Sequence, residues 1–224
     1  MRTVAVIPAY DESRTVGSVI EGTAEHVDRV VVVDDCSDDD TVDIARDHGA
    51  TVLEHAFNTG VGGAVRTGYR YAVERDYDLV VQVDADGQHD PGAIPRLLER
   101  AEDCDMVIAS RHYSGSLEEY PLVRRVGIRG LTRTVAALGD VEVTDVTSGF
   151  RVYRTSLLEG LDHGADRHWA VEQTLAAARQ GADIEEVSVE MPPREEGDSQ
   201  FTLDTLVLYP FRMIDAIARS LVFR

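Results

Sequence analysis

The sequence predicts an α/β protein whose mostly parallel sheet is covered by helices on both faces. Two observations carry that expectation. The apolar runs of the first half, such as TVAVIP and DLVVQV, are continuous rather than alternating, as strands buried on both faces require. Each run is followed by a segment of helical periodicity before the next run begins, which is the signature of parallel strands joined by crossover helices. In such sheets ligands sit beyond the carboxyl ends of the strands, so the loops there become the first place to look for chemistry.

The elements follow in order. Arg2–Ile7 reads as a strand, Thr15–Val27 as a helix and Arg29–Val33 as the second strand. A helix over Thr41–His48 leads to a strand at Thr51–Glu54. The glycine-rich stretch NTGVGG opens a helix over Gly62–Glu74, followed by a strand at Asp78–Val83. A helix near Gly92–Ala101 precedes a strand at Asp105–Ala109. The second half is less regular. Pro121–Leu138 reads as a helix carrying Arg124, Arg125, Arg129 and Arg133, and DVTSGFRVY reads as a loop. A helix from Trp169 to Gln180 and a strand at Ile184–Val189 follow, then the loop MPPREEGDSQ. Residues 201–224 read as an amphipathic helical tail broken at Pro210, appended to a domain over residues 1–200.

Composition narrows the partners. The chain has 224 residues, with 41 acidic side chains against 22 basic ones for a formal charge of −19, and every basic residue is arginine. A dense carboxylate surface without lysine points to a halophilic source. It argues against nucleic acid, whose phosphates need a basic footprint. Cys36 and Cys104 lack metal-ligand spacing and read as free thiols in a reducing compartment. The sequence enters a strand at once, without a charged-then-apolar leader, and has no run of eighteen apolar residues. A cytoplasmic protein is expected.

Three acidic segments fall on one rim of the predicted sheet. PAYDES follows the first strand; Asp11 and Ser13 there suit helix caps, whereas Tyr10 and Glu12 do not. VVVDDCSDDDT follows the second, where Asp38–Asp40 suit an N-cap and favourable dipole charge, and Asp34 and Asp35 are better placed to meet a ligand. VDADGQHDP follows the fourth. Its Asp84 and Asp86 are open to reading as a tight Asp-Gly turn or as a metal site; surface decoration belongs on helix faces rather than strand tips. As a metal site the pair, with Gln88 adding a neutral oxygen, suits Mg²⁺ or Mn²⁺ bridging phosphate oxygens.

The ordered set VIPAYDES, VVVDDCSDDDT, NTGVGGAVRTG, VDADGQHDP, SRHYSG, DVTSGFRVY and REEGDS resembles the family-2 glycosyltransferases, and among them the polyprenyl-phosphate (dolichyl-phosphate) mannose and glucose synthases. The likeness spans residue 3 to about residue 200. It implies a Rossmann-like GT-A fold and inverting, metal-dependent hexose transfer from a nucleotide sugar of the GDP-mannose or UDP-glucose type to a polyprenyl phosphate, feeding protein glycosylation or glycolipid synthesis. Carried over by position, it places Pro8, Tyr10, Glu12, Val33 and Asp35 in the nucleoside pocket. Asp84, Ala85, Asp86 and Gln88 hold the metal and the diphosphate-sugar region. Arg111, Arg194 and Ser199 meet the phosphates. Three positions depart from the pattern: Cys36 stands where D-D-G-S has glycine, Val61 where lysine often follows N-x-G, and Gln200 where lysine usually follows R-x-x-G-x-S.

A lipid monophosphate acceptor is already anionic near neutral pH, because its second ionisation lies at about 6. Catalysis then reduces to alignment and charge neutralisation, with Asp86 and Arg194 as the principal groups. A hydroxyl acceptor, as in glycan-elongating members of the family, needs a base; Asp145 is the first candidate and Glu172 the second. The tail is expected either to lie on the cytoplasmic face of the membrane or to pack on the core, with a membrane-protein partner as a further expectation.

Overall fold

In the computed structural model, residues 1–111, 122–161 and 169–191 are described. The tail, Arg194, Ser199 and Gln200 lie outside the described residues. Seven strands form one sheet in the order β3-β2-β1-β4-β6-β5-β7. They are β1 (Thr3–Ala9), β2 (Arg29–Asp34), β3 (Thr51–Glu54), β4 (Leu79–Gln82), β5 (Met106–Ser110), β6 (Arg151–Arg154) and β7 (Ile184–Ser188). β1 pairs in parallel with β2 and β4, β2 with β3, and β5 with β7.

The helices are α1 (Val16–Ala24), α2 (Thr41–Asp47), α3 (Val61–Glu74), α4 (Ile94–Arg100), α5 (Leu122–Gly139), α6 (Thr155–Gly160) and α7 (Trp169–Arg179). One face of the sheet packs Val4, Val6, Val31 and Val80 against Ala64, Val65 and Tyr69 of α3, Val135 of α5, Leu158 of α6 and Leu175 of α7. The other packs Ile7, Val30, Val32 and Val81 against Val16 and Ile20 of α1, Ala45 of α2 and Leu97 of α4. The two apolar faces explain why β1, β2 and β4 read as unbroken apolar runs. Close approach of α3 requires Gly68, where a Cβ would stand 2.2 Å from Val6 Cγ1. Among the described residues no helix is long and apolar enough to cross a membrane.

The expected loop DVTSGFRVY instead contains β6, and the short helix α6 follows it. β6 runs antiparallel to both of its neighbours, β4 and β5. Its apolar pattern is interrupted by Arg151, which opens the strand and is fully buried. The guanidinium is kept there by acceptors rather than by a carboxylate. Nε donates to Ser148 O at 2.7 Å, one terminal nitrogen donates to Val146 O at 2.8 Å, and the other donates to Ala170 O at 2.8 Å and Thr174 Oγ1 at 3.1 Å. The Trp169 ring lies 5.5 Å from its central carbon, within cation–π range. An unpaired ion in such a place is heavily penalised, so these contacts are what makes the strand possible.

Arg151→Met keeps the bulk but leaves the buried carbonyls of Val146 and Ser148 without their donor, each worth about 1–3 kcal/mol when buried and unpaired. Urea denaturation is expected to show a loss of at least about 2 kcal/mol, and a loss below about 0.5 kcal/mol would remove Arg151 from this role.

Candidate active site at the strand tips

The carboxyl ends of β1, β2 and β4 meet at one rim. Strand order turns there, because the chain leaves β1 towards β2 on one side and reaches β4 on the other. This is where open α/β sheets bind ligands. The first two rim loops are sewn together by acids. Asp11 Oδ1 accepts the Asp38 N–H at 2.9 Å, and the Asp11 N–H donates to Ser37 Oγ at 2.9 Å. Asp39 accepts the Ser13 N–H at 3.1 Å, the Thr41 N–H at 3.0 Å and the Thr41 hydroxyl. The expected caps are therefore redistributed: Asp11 and Ser13 do not cap α1, and Asp39 rather than Asp40 serves the start of α2.

Asp34 and Asp35 turn inward, each with 3% exposure. Asp34 accepts the Ser37 N–H and hydroxyl at 3.0 and 2.5 Å. Asp35 holds the N-T-G turn that opens α3. It accepts the Thr59 N–H and hydroxyl at 2.8 Å each, the Gly60 N–H at 2.7 Å, and a His55 Nδ1 contact at 2.7 Å. Burial works to raise the Asp35 carboxyl, but the hydrogen bonds from Thr59, His55 and Gly60 outweigh it and hold it below the usual range. Pro8 and Val33 sit side by side in register on the same face of the sheet as Asp35. Tyr10 is exposed and Glu12 partly so. The nucleoside candidates thus gather at one corner of the rim, with Thr59 and Gly60 as neighbours that motif reading had not singled out.

Between Asp34 and Ser37 the backbone passes through Cys36 at φ +70°, the left-handed region that suits glycine. That explains why D-D-G-S is the usual pattern, and shows that this chain carries the turn with a side chain instead.

The VDADGQHDP stretch forms the adjoining corner. Asp84 and Asp86 are partly exposed, Ala85 is buried, and Gly87 turns the chain at φ +75°. Asp86 Oδ1 accepts the Gln88 N–H at 3.1 Å. The expected tight turn and the expected oxygen-ligand set are the same piece of chain. Two carboxylates and an amide are hard oxygen donors, and among the described residues no group of three His, Cys, Asp or Glu side chains could hold a metal alone. The set fits Mg²⁺ or Mn²⁺ that brings its own phosphate and water oxygens, the usual habit of Mg²⁺ with phosphorylated ligands.

From the opposite side comes the loop before β6. Arg111, 8% exposed, forms a forked pair with Asp145, 1% exposed: Nε to Oδ2 at 2.7 Å and a terminal nitrogen to Oδ1 at 2.8 Å. The same terminal nitrogen donates to Thr147 Oγ1 at 2.6 Å. Glu186 of β7 accepts the Thr144 and Asp145 N–H groups at 2.8 and 2.9 Å, which fixes the turn that presents Asp145. Burial tends to raise the Asp145 carboxyl; the Arg111 pair and the Thr147 hydroxyl prevail and leave it lowered. Glu172 is buried on α7. Gly149 comes so close to Asp84 that a Cβ there would stand 2.7 Å from Asp84 Oδ2.

Comparison with known proteins agrees with this architecture. The family model "Glycosyl transferase family 2" matches residues 4–161. The undecaprenyl-phosphate mannosyltransferase of Micrococcus luteus is 36% identical over 217 residues, covering 90% of this chain and 88% of that protein. The dolichyl-phosphate hexose transferase of Haloferax volcanii is 30% identical over 224 residues, covering 97% and 91%. Among solved structures, glucosyl-3-phosphoglycerate synthase from Mycobacterium tuberculosis, in complex with Mn²⁺, UDP and phosphoglyceric acid, superposes with a TM-score of 0.73 at 22% identity, covering all of this chain and 79% of that one. The chain belongs to glycosyl transferase family 2. It is a glycosyltransferase with the Rossmann-like GT-A fold that its motifs resemble.

Asp145→Asn would neutralise the carboxylate that forks onto the buried Arg111 cation, a loss of about 3–5 kcal/mol at pH 7 by the usual cost of breaking a buried pair. Because the Asp145 carboxyl is held low in the folded state, its contribution is complete above the unfolded value of about 3.9 and fades as the pH falls below that. Denaturant titrations at pH 7 and in steps towards pH 3 are expected to show the gap between wild type and variant narrowing with acid; a gap independent of pH would contradict the assignment.

Proposed function

We propose that the protein transfers a hexose, with inversion, from a nucleotide sugar of the GDP-mannose or UDP-glucose type to a polyprenyl phosphate. The observation that carries this reading is the Arg111–Asp145 pair. The carboxylate best placed by sequence to act as a base is spent on an arginine and held low, so it is poorly suited to deprotonating a hydroxyl. A lipid phosphate needs no such base, and its charge needs cations at the rim. Relatives that share more than three-quarters of their length with this chain are named as undecaprenyl-phosphate mannosyltransferase and dolichyl-phosphate hexose transferase, which supports the same acceptor class.

In this reading Pro8, Tyr10, Glu12, Val33 and Asp35 frame the nucleoside, Asp35 by fixing the Thr59–Gly60 turn. Asp84, Asp86 and Gln88 would hold Mg²⁺ or Mn²⁺, which when bound neutralises charge on the departing diphosphate. Ala85 is assigned to the diphosphate-sugar region by motif position. Arg111, held in place by its forked pair with Asp145, is assigned to the phosphates by motif position, as are Arg194 and Ser199. Proximity and charge neutralisation supply the rate.

A lipid acceptor requires the site to reach a membrane surface, and we place the protein on its cytoplasmic face. α5 supports this placement, since it carries four arginines and no acid in a chain of charge −19. Its outward residues include Arg129, Arg133 and Val126, the last 61% exposed.

The test is incubation with each labelled nucleotide sugar, dolichyl phosphate and Mn²⁺ or Mg²⁺ in concentrated KCl, followed by organic extraction. Label is expected in the organic phase and is expected to vanish in Asp86→Ala, with retention of secondary structure. Label transferred only to water-soluble glycan would replace this reading with a hydroxyl-acceptor transferase.

A further inference from the structure

We propose that His89 is a positioning residue for the reaction, a ring wedged between Asp84 and Phe150 that sets the direction of the Asp84 carboxylate. The inference rests on the reading of Asp84–Gln88 as the metal–diphosphate corner. It concerns a residue that touches neither donor nor acceptor, because the ring is only 6% exposed.

Three contacts carry it. The Asp84 N–H donates to His89 Nδ1 at 3.0 Å, so Nδ1 must offer a lone pair and the neutral ring carries its proton on Nε2. That Nε2 stands 3.6 Å from Asp84 Oδ2, too long for a hydrogen bond but close enough for the N–H dipole to attract that oxygen. The same residue is therefore held at its backbone and at its side chain. Third, the ring is stacked on Phe150, centroids 4.9 Å apart and planes 13° from parallel. Phe150 is 1% exposed and its carbonyl accepts the Ala109 N–H at 3.0 Å, so the surface beneath His89 is tied into β5.

The local chain makes this possible. Gly87 at φ +75° turns the backbone so that a side chain five residues on returns to the N–H of Asp84. On its other flank Asp84 meets Gly149, whose missing Cβ leaves the carboxylate its space. Gly149 and Phe150 are consecutive, so T-S-G-F and D-G-Q-H interlock as one seat: glycine beside the carboxylate, phenylalanine beneath the ring that steers it. A carboxylate steered by such a partner loses less freedom when it binds a cation, and removing a partner of this kind typically weakens metal binding about 10–100-fold.

The test uses the full chain with nucleoside diphosphate and Mn²⁺, read by calorimetry or by the Mn²⁺ paramagnetic resonance signal, alongside thermal melting without metal. His89→Phe keeps the stack and removes both nitrogens; His89→Gln restores an amide N–H near the Nε2 position that faces the Asp84 carboxylate. The expected result is Mn²⁺ binding weakened about 10–100-fold in His89→Phe with its melting transition still cooperative. His89→Gln is expected to recover most of that loss, and kcat is expected to follow Mn²⁺ occupancy. Wild-type Mn²⁺ affinity in His89→Phe, or equal damage in both variants, would overturn the proposal. Asp86→Asn serves as the control: if it leaves Mn²⁺ binding intact, the metal corner itself is misplaced; if it abolishes binding while His89→Phe does not, only the role of His89 fails.

Discussion

The rest of the site depends on one buried arginine. Arg151 opens β6, and β6 runs against the direction of its neighbours. An antiparallel strand has its amino end where parallel strands have their carboxyl ends. The residues just before it, Asp145 to Phe150, are thereby delivered to the same rim as the tips of β1, β2 and β4. Without that reversal Gly149 would not lie against Asp84, nor Phe150 under His89. The donors of Arg151 bind the carbonyls of Val146 and Ser148 in this very loop and that of Ala170 on α7, so one side chain fixes both the strand and the approach to it. Burying the cation is costly in isolation, and its hydrogen bonds to these buried acceptors offset the cost.

A second theme is how a chain so rich in acid uses its acids. At the rim most carboxylates are internal fasteners. Asp11 and Asp39 join two loops, Asp34 and Asp35 shape the turns at the tip of β2, and Glu186 holds the turn that carries Asp145. The Asp84–Asp86 pair sits partly exposed at the tip of β4. Arginine does the complementary work: Arg151 builds the core, and Arg111 forks onto the buried Asp145.

Much of this was legible beforehand. β1, β2 and β4 are buried on both faces, so their sequences are continuous apolar runs, and the loops at their tips could be placed on one rim without coordinates. β6 was not legible, because Arg151 breaks the apolar pattern and only the tertiary arrangement reveals that carbonyls satisfy it. Partners distant in sequence were equally hidden: nothing in the spacing of Arg111 and Asp145 says that one neutralises the other. Cys36 sits between these cases. The departure from glycine was visible in the motif, and the positive φ supplies its physical meaning. His89 stood inside the VDADGQHDP stretch from the start, yet its bond to the Asp84 N–H depends on the turn at Gly87.

The central claim is that β6 closes a rim at which Asp84, Asp86 and Gln88 receive a metal-bound diphosphate. Crystals grown with the nucleoside diphosphate and Mn²⁺, measured for anomalous scattering at the manganese edge, test it most directly. The account predicts one strong peak within coordination distance of Asp86, bridged to the diphosphate, with Asp84 directed at the same ion or its bound water. A peak held by other residues, or diphosphate bound with no peak beside Asp86, would contradict it.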